Sequence, residues 1–263
     1  MNVFASKIGD IVKAVANGNE KVDIYNNFNS VVIVAAGNGT RMGINMAQTK
    51  QMTDLDGIPV VVRAINQFEA CDFINEIIVV ARADELSFYD EFNTKYCFKK
   101  VIKVVTGGIT RQKSVLEGIK NINENSEYVI IHDGARCLVL PGMIKEVLEK
   151  AYTYGCATAA EKSKDTVKIS DKGGFIASTI DRSYLWHAQT PQIFKTEIYR
   201  AAALIADKNN FEATDDCMLI ENLGYKIKLV DCGYENIKIT TPDDFIIAEA
   251  ILKKRKSKSI KNG

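Results

Sequence analysis

The sequence predicts an α/β fold in which helices cover both faces of a mostly parallel β-sheet. From Ser30 onward, short β-branched runs alternate with longer segments of helical periodicity, which is the pattern of right-handed βαβ units. Between Thr158 and Gln189 this alternation is interrupted by two segments of period two around a glycine turn. The interruption predicts a β-hairpin that projects from the sheet.

The first half of the chain contains four predicted strands and four predicted helices. The strands are Val31–Ala35, Glu76–Ala81, Val101–Val105 and Tyr128–His132. The helices are Pro59–Cys71, Ala83–Phe92, Arg111–Asn121 and Pro141–Tyr154. Pro59 and Pro141 suit a first helical turn, where an amide hydrogen would have no partner within the helix.

The second half is predicted to contain the hairpin, two more strands and a final helix. The hairpin segments 165–170 and 175–180 flank Asp171-Lys-Gly-Gly, and the whole arm covers about residues 160–185. Such an arm suits either a dimer contact or a substrate lid. The strand pattern resumes at Lys226–Val230 and Asn236–Thr240, and the last helix runs from Pro242 to Lys254.

Both ends of the chain differ from the domain at residues 30–254. Within residues 1–29, Ile8, Ile11, Val12 and Val15 form one helical stripe. This stripe predicts a helix packed on the domain surface, and a partner-docking helix is the alternative. Residues 255–263 form a basic tail, expected to be solvated, with a recruitment role as its alternative.

Composition excludes several classes of protein. The 263 residues carry 34 Lys+Arg against 33 Asp+Glu, a formal charge of +1, so no overall positive field favours nucleic acid. The longest apolar runs are too short to cross a membrane, and the first residues lack a secretory signal. Six scattered cysteines and two histidines fit neither a zinc site nor a disulfide framework, which favours the cytoplasm.

A glycine-rich segment follows the first predicted strand. It reads Ala35-Ala-Gly37-Asn-Gly39-Thr-Arg41-Met, with Lys50 a few residues later. Glycines allow the backbone to approach a ligand closely, and two cations beside them suit a triphosphate. A dinucleotide fingerprint needs glycine where Met42 stands, and an acidic residue is missing at the end of the second strand, which disfavours a dehydrogenase.

Further motifs follow in order along the chain. They are Gly107-Gly-Ile-Thr-Arg111-Gln-Lys-Ser114, His132-Asp133-Gly-Ala-Arg136, Asp165-Thr166, Asp181-Arg182, Leu185-Trp-His-Ala-Gln-Thr190-Pro-Gln, Thr214-Asp215 and Asn236-Ile-Lys238-Ile-Thr. With the glycine segment, their order and spacing resemble the family of 2-C-methyl-D-erythritol 4-phosphate cytidylyltransferases of the non-mevalonate isoprenoid pathway. The resemblance covers about residues 30–254 and makes that region a nucleotidyltransferase domain.

The resemblance implies a Rossmann-like fold and transfer of CMP from CTP to the phosphate of 2-C-methyl-D-erythritol 4-phosphate. Pyrophosphate leaves and 4-diphosphocytidyl-2-C-methyl-D-erythritol forms, by Mg²⁺-assisted in-line attack. The residues implied in catalysis are Arg41, Lys50, Arg182 and Lys238. Those implied in nucleotide binding are Ala35, Ala36, Gly37, Gly39, Gly108, Arg111 and Ser114. Those implied in substrate binding are Asp133, Arg136, Thr166, Thr190 and Thr214, with Asp133 also the candidate Mg²⁺ ligand.

The resemblance also implies a homodimer in which the arm carries Thr166 and Arg182 to the partner's site. Two alternatives stay open: a cytidylyltransferase that uses ribitol 5-phosphate, and a non-catalytic nucleotide-binding regulator. Local departures from the family pattern are Thr49, Ile109, Cys137 and the pair Asp216-Cys217. None of these departures removes a charged motif residue.

Overall fold

The computed structural model describes residues 24–37 and 49–262, with side chains to residue 258. Its strands are β1 (Asn29–Val34), β2 (Asp54–Leu55), β3 (Ile58–Pro59), β4 (Glu76–Ala81), β5 (Val101–Thr106), β6 (Tyr128–Asp133), β7 (Cys156–Lys162), β8 (Lys168–Ser170), β9 (Ile176–Thr179), β10 (Trp186–Lys195) and β11 (Lys228–Asp231). Its α-helices are α1 (Val60–Glu69), α2 (Leu86–Tyr96), α3 (Arg111–Ile119), α4 (Pro141–Tyr154), α5 (Thr196–Lys208), α6 (Asp216–Glu221) and α7 (Pro242–Asn262).

Seven strands of the described chain form one sheet in the order β11-β7-β10-β6-β1-β4-β5. Strands β6, β1, β4 and β5 pair in parallel, and β11 pairs in parallel with β7. Strand β10 runs antiparallel to both of its neighbours. β1, β4 and β6 are buried along their whole length, as expected for apolar strands covered by helices on both faces.

A separate apolar core lies on each face of the sheet. On one face, Ile33 and Val79 pack with Ile65 of α1 and Val147 of α4. On the other, Val32 and Ile131 belong to a cluster with residues of α3, α5 and α6. A third, smaller cluster holds α7 against the body of the domain through Leu55, Val60, Leu138 and Ala248.

The sheet order places a crevice at the carboxyl end of β1. The chain passes from β1 to β4 and β5 on one side and then crosses to β6 on the other side of β1. Ligands of open α/β sheets bind where the strand order reverses in this way. The four parallel strands therefore deliver their following loops to one edge, where the candidate site lies.

The sequence predictions for the first half of the chain are confirmed with small shifts at element ends. The helix expected at 83–92 begins as a short 3₁₀ turn at Ala83–Glu85 and continues as α2. The hairpin is present as β8 and β9, a two-stranded sheet of its own. The helix expected within residues 1–29 falls outside the described residues. None of the described helices combines the length and hydrophobicity needed to span a bilayer.

One prediction for the second half is corrected. Residues 236–240 form an irregular segment rather than a strand, because the Asn236 side chain is buried and donates to Gln189 and Thr190. The basic segment after Lys254 continues α7 to Asn262 as a helix, and its described residues 256–258 are exposed, so its solvation stays a prediction. Arg255 ties this helix to the domain by donating to the Leu138 carbonyl and pairing with Glu235.

Candidate active site

A cleft of about 370 Å³ opens at the carboxyl edge of the sheet, beside the ends of β1, β5 and β6. Its lining comes from five separate stretches of the chain that the topology brings to this edge. The lining residues are Val34, Ala36, Gly37, Lys50, Gln51, Gly108, Ile109, Thr110, Arg111, Ser114, Asp133, Ala135, Lys238 and Thr240.

One wall of the cleft is the turn between β5 and α3. A Cβ atom on Gly107 would lie 2.3 Å from the Cβ atom of Ala36, so only glycine lets this turn contact the loop after β1. The Ser114 hydroxyl accepts from the Gly108 amide at 3.1 Å and donates to the Thr110 carbonyl at 2.9 Å. The Thr110 side chain caps α3. These contacts hold the backbone at residue 108 in a fixed position beside the cleft.

The floor of the cleft carries alternating charges. Asp133, the last residue of β6, accepts from Lys238 Nζ at 2.6 Å and from Arg111 Nε at 3.1 Å. Arg111 also donates from Nη1 to Asp216 Oδ2 at 2.6 Å. The second oxygen of Asp216 accepts from the Tyr199 hydroxyl at 2.7 Å. Lysine, aspartate, arginine and aspartate thus follow one another across the floor.

The carboxylates of this array lie deeper than its cations. The Asp133 and Asp216 side chains are 10% and 1% exposed, whereas those of Arg111 and Lys238 are 29% and 34% exposed. Burial alone would raise the pKa of Asp133, but Arg111 and Lys238 outweigh it and hold this pKa well below its usual value. Burial likewise acts to lower the pKa of Arg111, and the two carboxylates raise it. Asp133 and Arg111 are therefore both charged at neutral pH.

Lys50 and Gln51 line the opposite side of the cleft, directly after residues 38–48. Both side chains are buried. The Asp244 carboxylate, in the first turn of α7, accepts from the amides of Thr240 and Thr241. Burial alone would raise the pKa of Asp244, but these amides and the charge of Lys50 together lower it. Lys50 is thus a buried cation within electrostatic reach of the start of α7.

A second hydrogen-bond chain lies behind Asp133. The Thr190 hydroxyl accepts from the Asp133 amide at 3.0 Å and contacts His132 Nδ1 at 3.1 Å. His132 Nε2 lies 3.1 Å from the Arg136 carbonyl. The Arg136 guanidinium donates to the Asn236 carbonyl at 2.8 Å, and neither Arg136 nor Thr190 is among the lining residues of the cleft. Arg136, which the resemblance implies in substrate binding, connects the β6 end to residue 236.

The remaining site predictions divide into three groups. Eight of them come together in the cleft: Ala36, Gly37, Lys50, Gly108, Arg111, Ser114, Asp133 and Lys238. Ala35 is buried next to them, and its amide donates a hydrogen bond to the Val80 carbonyl. Thr166, Arg182 and Thr214 lie apart: Thr166 is exposed, Arg182 donates to the Lys164 carbonyl and Thr214 contacts Met218. Gly39 and Arg41 fall outside the described residues.

The sequence alone assigned no role in the site to Asp216, Tyr199, Gln51, Thr110 or Thr240. Asp216 lies beside the Thr214-Asp215 motif, but it enters the site through Arg111, which is 105 residues away in the chain. That pairing depends on α6 lying next to the β5–α3 turn, which no local pattern encodes. Gln51 follows Lys50 directly in the sequence. Its position next to a predicted catalytic cation was the sequence signal that could have indicated its place in the site.

The fold and the charged edge of the sheet together indicate the class of this protein. An open α/β sheet with a glycine turn and a row of cations at its carboxyl edge is the nucleotide-binding arrangement of a nucleotidyltransferase. The family model of IspD, 2-C-methyl-D-erythritol 4-phosphate cytidylyltransferase, matches residues 30–254. The chain belongs to this family and is a cytidylyltransferase.

Individual relatives agree with the family assignment. Proteins named 2-C-methyl-D-erythritol 4-phosphate cytidylyltransferase from Caldanaerobacter subterraneus subsp. tengcongensis and Clostridium acetobutylicum are each 43% identical to 86% of this chain, covering 99% and 98% of their own length. The crystal structure of 4-diphosphocytidyl-2C-methyl-D-erythritol synthase from Anaerococcus prevotii matches with a TM-score of 0.78 and 32% identity, covering 89% of this chain and 100% of that one. The cytidylyltransferase structure from Thermus thermophilus matches with a TM-score of 0.68 and 27% identity, over 86% and 99%.

Proposed function

We propose that this chain transfers CMP from CTP to the phosphate of 2-C-methyl-D-erythritol 4-phosphate, in the pathway of isoprenoid synthesis. Pyrophosphate is released and 4-diphosphocytidyl-2-C-methyl-D-erythritol is formed. The observation that carries the proposal is the cleft itself, in which a glycine turn faces Lys50, Lys238 and the paired carboxylate of Asp133. Membership of the family supports the choice of both substrates.

The reaction needs charge neutralisation rather than a general base. A phosphate monoester carries a charge of about −1.5 to −2 at neutral pH, so its oxygen attacks the α-phosphorus of CTP without losing a proton. The bond between the α-phosphorus and its bridging oxygen breaks, and pyrophosphate takes the electron pair. The protein must hold two anions in line and stabilise the charge that develops between them. Lysine and arginine side chains at a glycine turn are suited to that task.

The nucleotide is assigned to the side of the cleft formed by β1 and the β5–α3 turn. Gly108 and Ser114, with the backbone of residues 35–37, would contact the cytosine and ribose, and Gly39 would continue this loop. Lys50, together with Arg41, would flank the triphosphate and stabilise the pentacoordinate α-phosphorus. Lys50 suits this role because it is a buried cation that lines the cleft. Arg111 would support the nucleotide from the cleft floor.

The second substrate is assigned to the side of the cleft formed by β6 and Lys238. Lys238 would act as a point charge on its phosphate, and Arg182 would hold the same phosphate with two parallel hydrogen bonds. Asp133 would either accept hydrogen bonds from the polyol hydroxyls or hold Mg²⁺. Arg136, Thr166, Thr190 and Thr214 complete the set of substrate-binding residues in this proposal.

The donor set of the cleft fits Mg²⁺ that is carried mainly by the nucleotide. The described residues contain no group of three or more His, Cys, Asp or Glu side chains that could form a cation cage. Mg²⁺ commonly uses one or two carboxylates together with substrate phosphates and waters. Asp133 would be the protein ligand, since each of its oxygens keeps a lone pair beyond the bond to Lys238 or Arg111. The ion would neutralise charge on the triphosphate; a contact between Asp133 and the polyol is the alternative.

The arm is proposed to join two copies of the chain. Phe175, Ile176 and Tyr184 are 74%, 67% and 82% exposed on or beside the hairpin. An exposed group of large apolar side chains marks an interaction surface. In a homodimer with exchanged arms, Thr166 and Arg182 of each copy would reach the site of the other. All six cysteines are free thiols, which supports a reducing cytoplasm as the compartment.

Pyrophosphate release from CTP and Mg²⁺ tests the proposal directly. We expect release with 2-C-methyl-D-erythritol 4-phosphate and none with ribitol 5-phosphate. Release with ribitol 5-phosphate alone would keep the mechanism and change the substrate. Absence of release with either, in protein that binds CTP, would favour a non-catalytic regulator.

Substitution of Lys50 tests the cation assigned to the α-phosphorus. Lys50→Ala is expected to lower kcat by at least about a hundredfold, because removal of one well-placed stabilising donor costs about 10²–10³ in rate. CTP affinity, measured by calorimetry, should change little. Lys120→Ala removes an exposed lysine whose ion pair with Glu117 lies on α3, away from the cleft, and should retain wild-type kcat. A kcat for Lys50→Ala near that of the control would contradict the assigned role.

A further inference from the structure

Asp216 is the deepest charge of the array and does not itself line the cleft. Its side chain is 1% exposed. Its Oδ2 atom accepts from Arg111 and its Oδ1 atom from Tyr199, whose side chain is itself fully buried. Within the described part of the chain, Asp216 therefore acts on the site through Arg111.

The hydrogen bonds of Arg111 leave part of its guanidinium available to a ligand. Nε donates to Asp133 and Nη1 donates to Asp216, and among the described residues Nη2 donates to neither carboxylate nor any other group. A guanidinium is planar, so two bonds on its Nε and Nη1 atoms fix the direction of the third nitrogen. Because Arg111 lines the cleft, the Asp216 contact determines how its remaining donors face a bound anion or base.

The Asp216 carboxylate is not needed to start helix α6. The helix is capped by Asp215, whose Oδ1 atom accepts from the Met218 amide at 3.0 Å. The amides of Asp216 and Cys217 are both held by the Gln192 side chain, at 3.1 and 3.2 Å. The local backbone is thus satisfied by Asp215 and Gln192, and the Asp216 side chain is directed wholly to Arg111 and Tyr199.

We propose that Asp216, held by Tyr199, is a positioning residue of the cytidylyl transfer: it fixes the Arg111 guanidinium and, through Arg111, the carboxylate of Asp133. This inference rests on the proposed function, since Asp133 and Arg111 are assigned there to the polyol and the nucleotide. Without the Asp216 charge, the Arg111 guanidinium would be drawn to Asp133 alone. The Asp133 oxygens would then be reoriented relative to Lys238 and the second substrate.

A double-mutant cycle separates positioning from a purely structural role. Asp216→Asn, Arg111→Gln and the double variant are compared with wild type for kcat, KM of each substrate and melting temperature. In the wild-type background, we expect Asp216→Asn to lower kcat/KM at least tenfold. In the Arg111→Gln background, the same substitution should lower kcat/KM less than twofold. Tyr199→Phe should lower kcat/KM about threefold, because it removes one hydrogen bond from Asp216. Asp207→Asn, an exposed carboxylate on the same helix as Tyr199, should match wild type.

Independent losses in the cycle, or an Asp216→Asn variant within threefold of wild type, would overturn the inference. If Asp216→Asn does not fold, Tyr199→Phe in the wild-type and Arg111→Gln backgrounds decides in the same way. The CTP dissociation constants of all variants provide a readout that needs no turnover. An inactive wild type would count against the proposed function, whereas coupling between residues 111 and 216 in CTP affinity would still support the positioning role.

Discussion

His132 shows how one buried side chain connects stability to pH. It is the penultimate residue of β6, and its ring centre lies 4.9 Å from that of Phe68. The ring makes hydrogen bonds with the Thr190 hydroxyl and the Arg136 carbonyl. A carbonyl only accepts, so Nε2 carries the proton and Nδ1 accepts from the Thr190 hydroxyl. Burial lowers the pKa of His132 to about 4. The neutral ring is therefore a structural link between Asp133 and Arg136, not a catalytic base.

The depressed pKa of His132 predicts a loss of stability on acidification. Between pH 6.5 and 4 the unfolded chain binds a proton that the folded protein excludes, so the free energy of unfolding falls as pH falls. The loss reaches about 3 kcal/mol by pH 4, and about 2 kcal/mol of it is expected by pH 5. Well above pH 6.5 the His132 ring is neutral in both the folded and the unfolded chain, so it no longer contributes to the pH dependence of stability. Urea unfolding at pH 7.5 and pH 5 measures the effect.

Two glutamine variants test this assignment. His132→Gln removes the titrating ring and should reduce the stability difference between pH 7.5 and pH 5 to less than half of the wild-type value. His187→Gln changes the other histidine of the chain, which is exposed, and should keep the wild-type difference. An unchanged difference in His132→Gln would assign the acid sensitivity to another group.

At the same scale, the sequence predicts the side chains of the cleft better than their partners. Lys50, Ser114, Asp133 and Lys238 follow from motifs in fixed order, and all line the cleft. The partner that completes the array, Asp216, does not follow, because its contact with Arg111 joins two distant segments. A sequence motif identifies a candidate residue. A hydrogen bond between residues 105 positions apart depends on how the helices pack.

At the scale of elements, buried strands and periodic helices are predictable, and a segment held by side chains is not. Residues 236–240 have the alternating pattern of a strand. Within the described part of the chain, however, the Ile239 backbone makes a single hydrogen bond, from its amide to the Ala135 carbonyl. Buried hydrogen bonds from Asn236 replace the ladder of a sheet. The same segment carries Lys238 to Asp133, so an irregular backbone serves the site where a regular strand was expected.

The arm offers a prediction about assembly. An isolated two-stranded hairpin is marginally stable in water, and every residue of β8 and β9 is exposed. The combined variant Phe175→Ser and Ile176→Ser should shift the protein from dimer to monomer, measured by light scattering after size-exclusion chromatography. Transfer activity should fall at least tenfold in parallel, because each site would lose the partner's Thr166 and Arg182.

A matched surface variant controls for loss of apolar area alone. Leu204 on α5 is 71% exposed, close to the 74% of Phe175, but it lies on a helix of the domain body. Leu204→Ser should leave both mass and activity unchanged. A monomeric wild type with full activity, or an arm variant that is still dimeric, would contradict the assignment of the arm.

At the scale of the whole molecule, the alternation of strands and helices predicts the sheet but not its complete order. The parallel core of β6, β1, β4 and β5 follows from the βαβ pattern. Strand β10 enters the sheet antiparallel between β6 and β7 after the arm, and its pairing with β7 shifts register between Ala188 and Gln192. The position of β10 depends on where the chain leaves the sheet to form the arm and where it returns. The local periodicity of the sequence does not predict either point.

The extent of the domain leads to a final prediction about the N-terminal residues. The family match starts at residue 30, and the relatives are covered almost completely by 86% of this chain. Ile24 is nevertheless part of the first core, and its carbonyl accepts from the Asn29 side chain. A variant that begins at Ile24 should therefore keep wild-type kcat and KM within about twofold and melt within a few degrees of the full chain.

A shorter variant that begins at Ser30 should behave differently. It removes Asn29, whose side chain accepts from the half-buried Tyr152 hydroxyl at 2.6 Å and donates to the Phe73 carbonyl, and it leaves that carbonyl without this buried hydrogen bond. Each unsatisfied buried group costs about 1–3 kcal/mol, so the melting temperature should fall by about 5 °C or more. If the variant beginning at Ile24 instead loses activity while it stays dimeric and binds CTP, residues 1–23 contribute to the reaction and the catalytic domain extends beyond the family match.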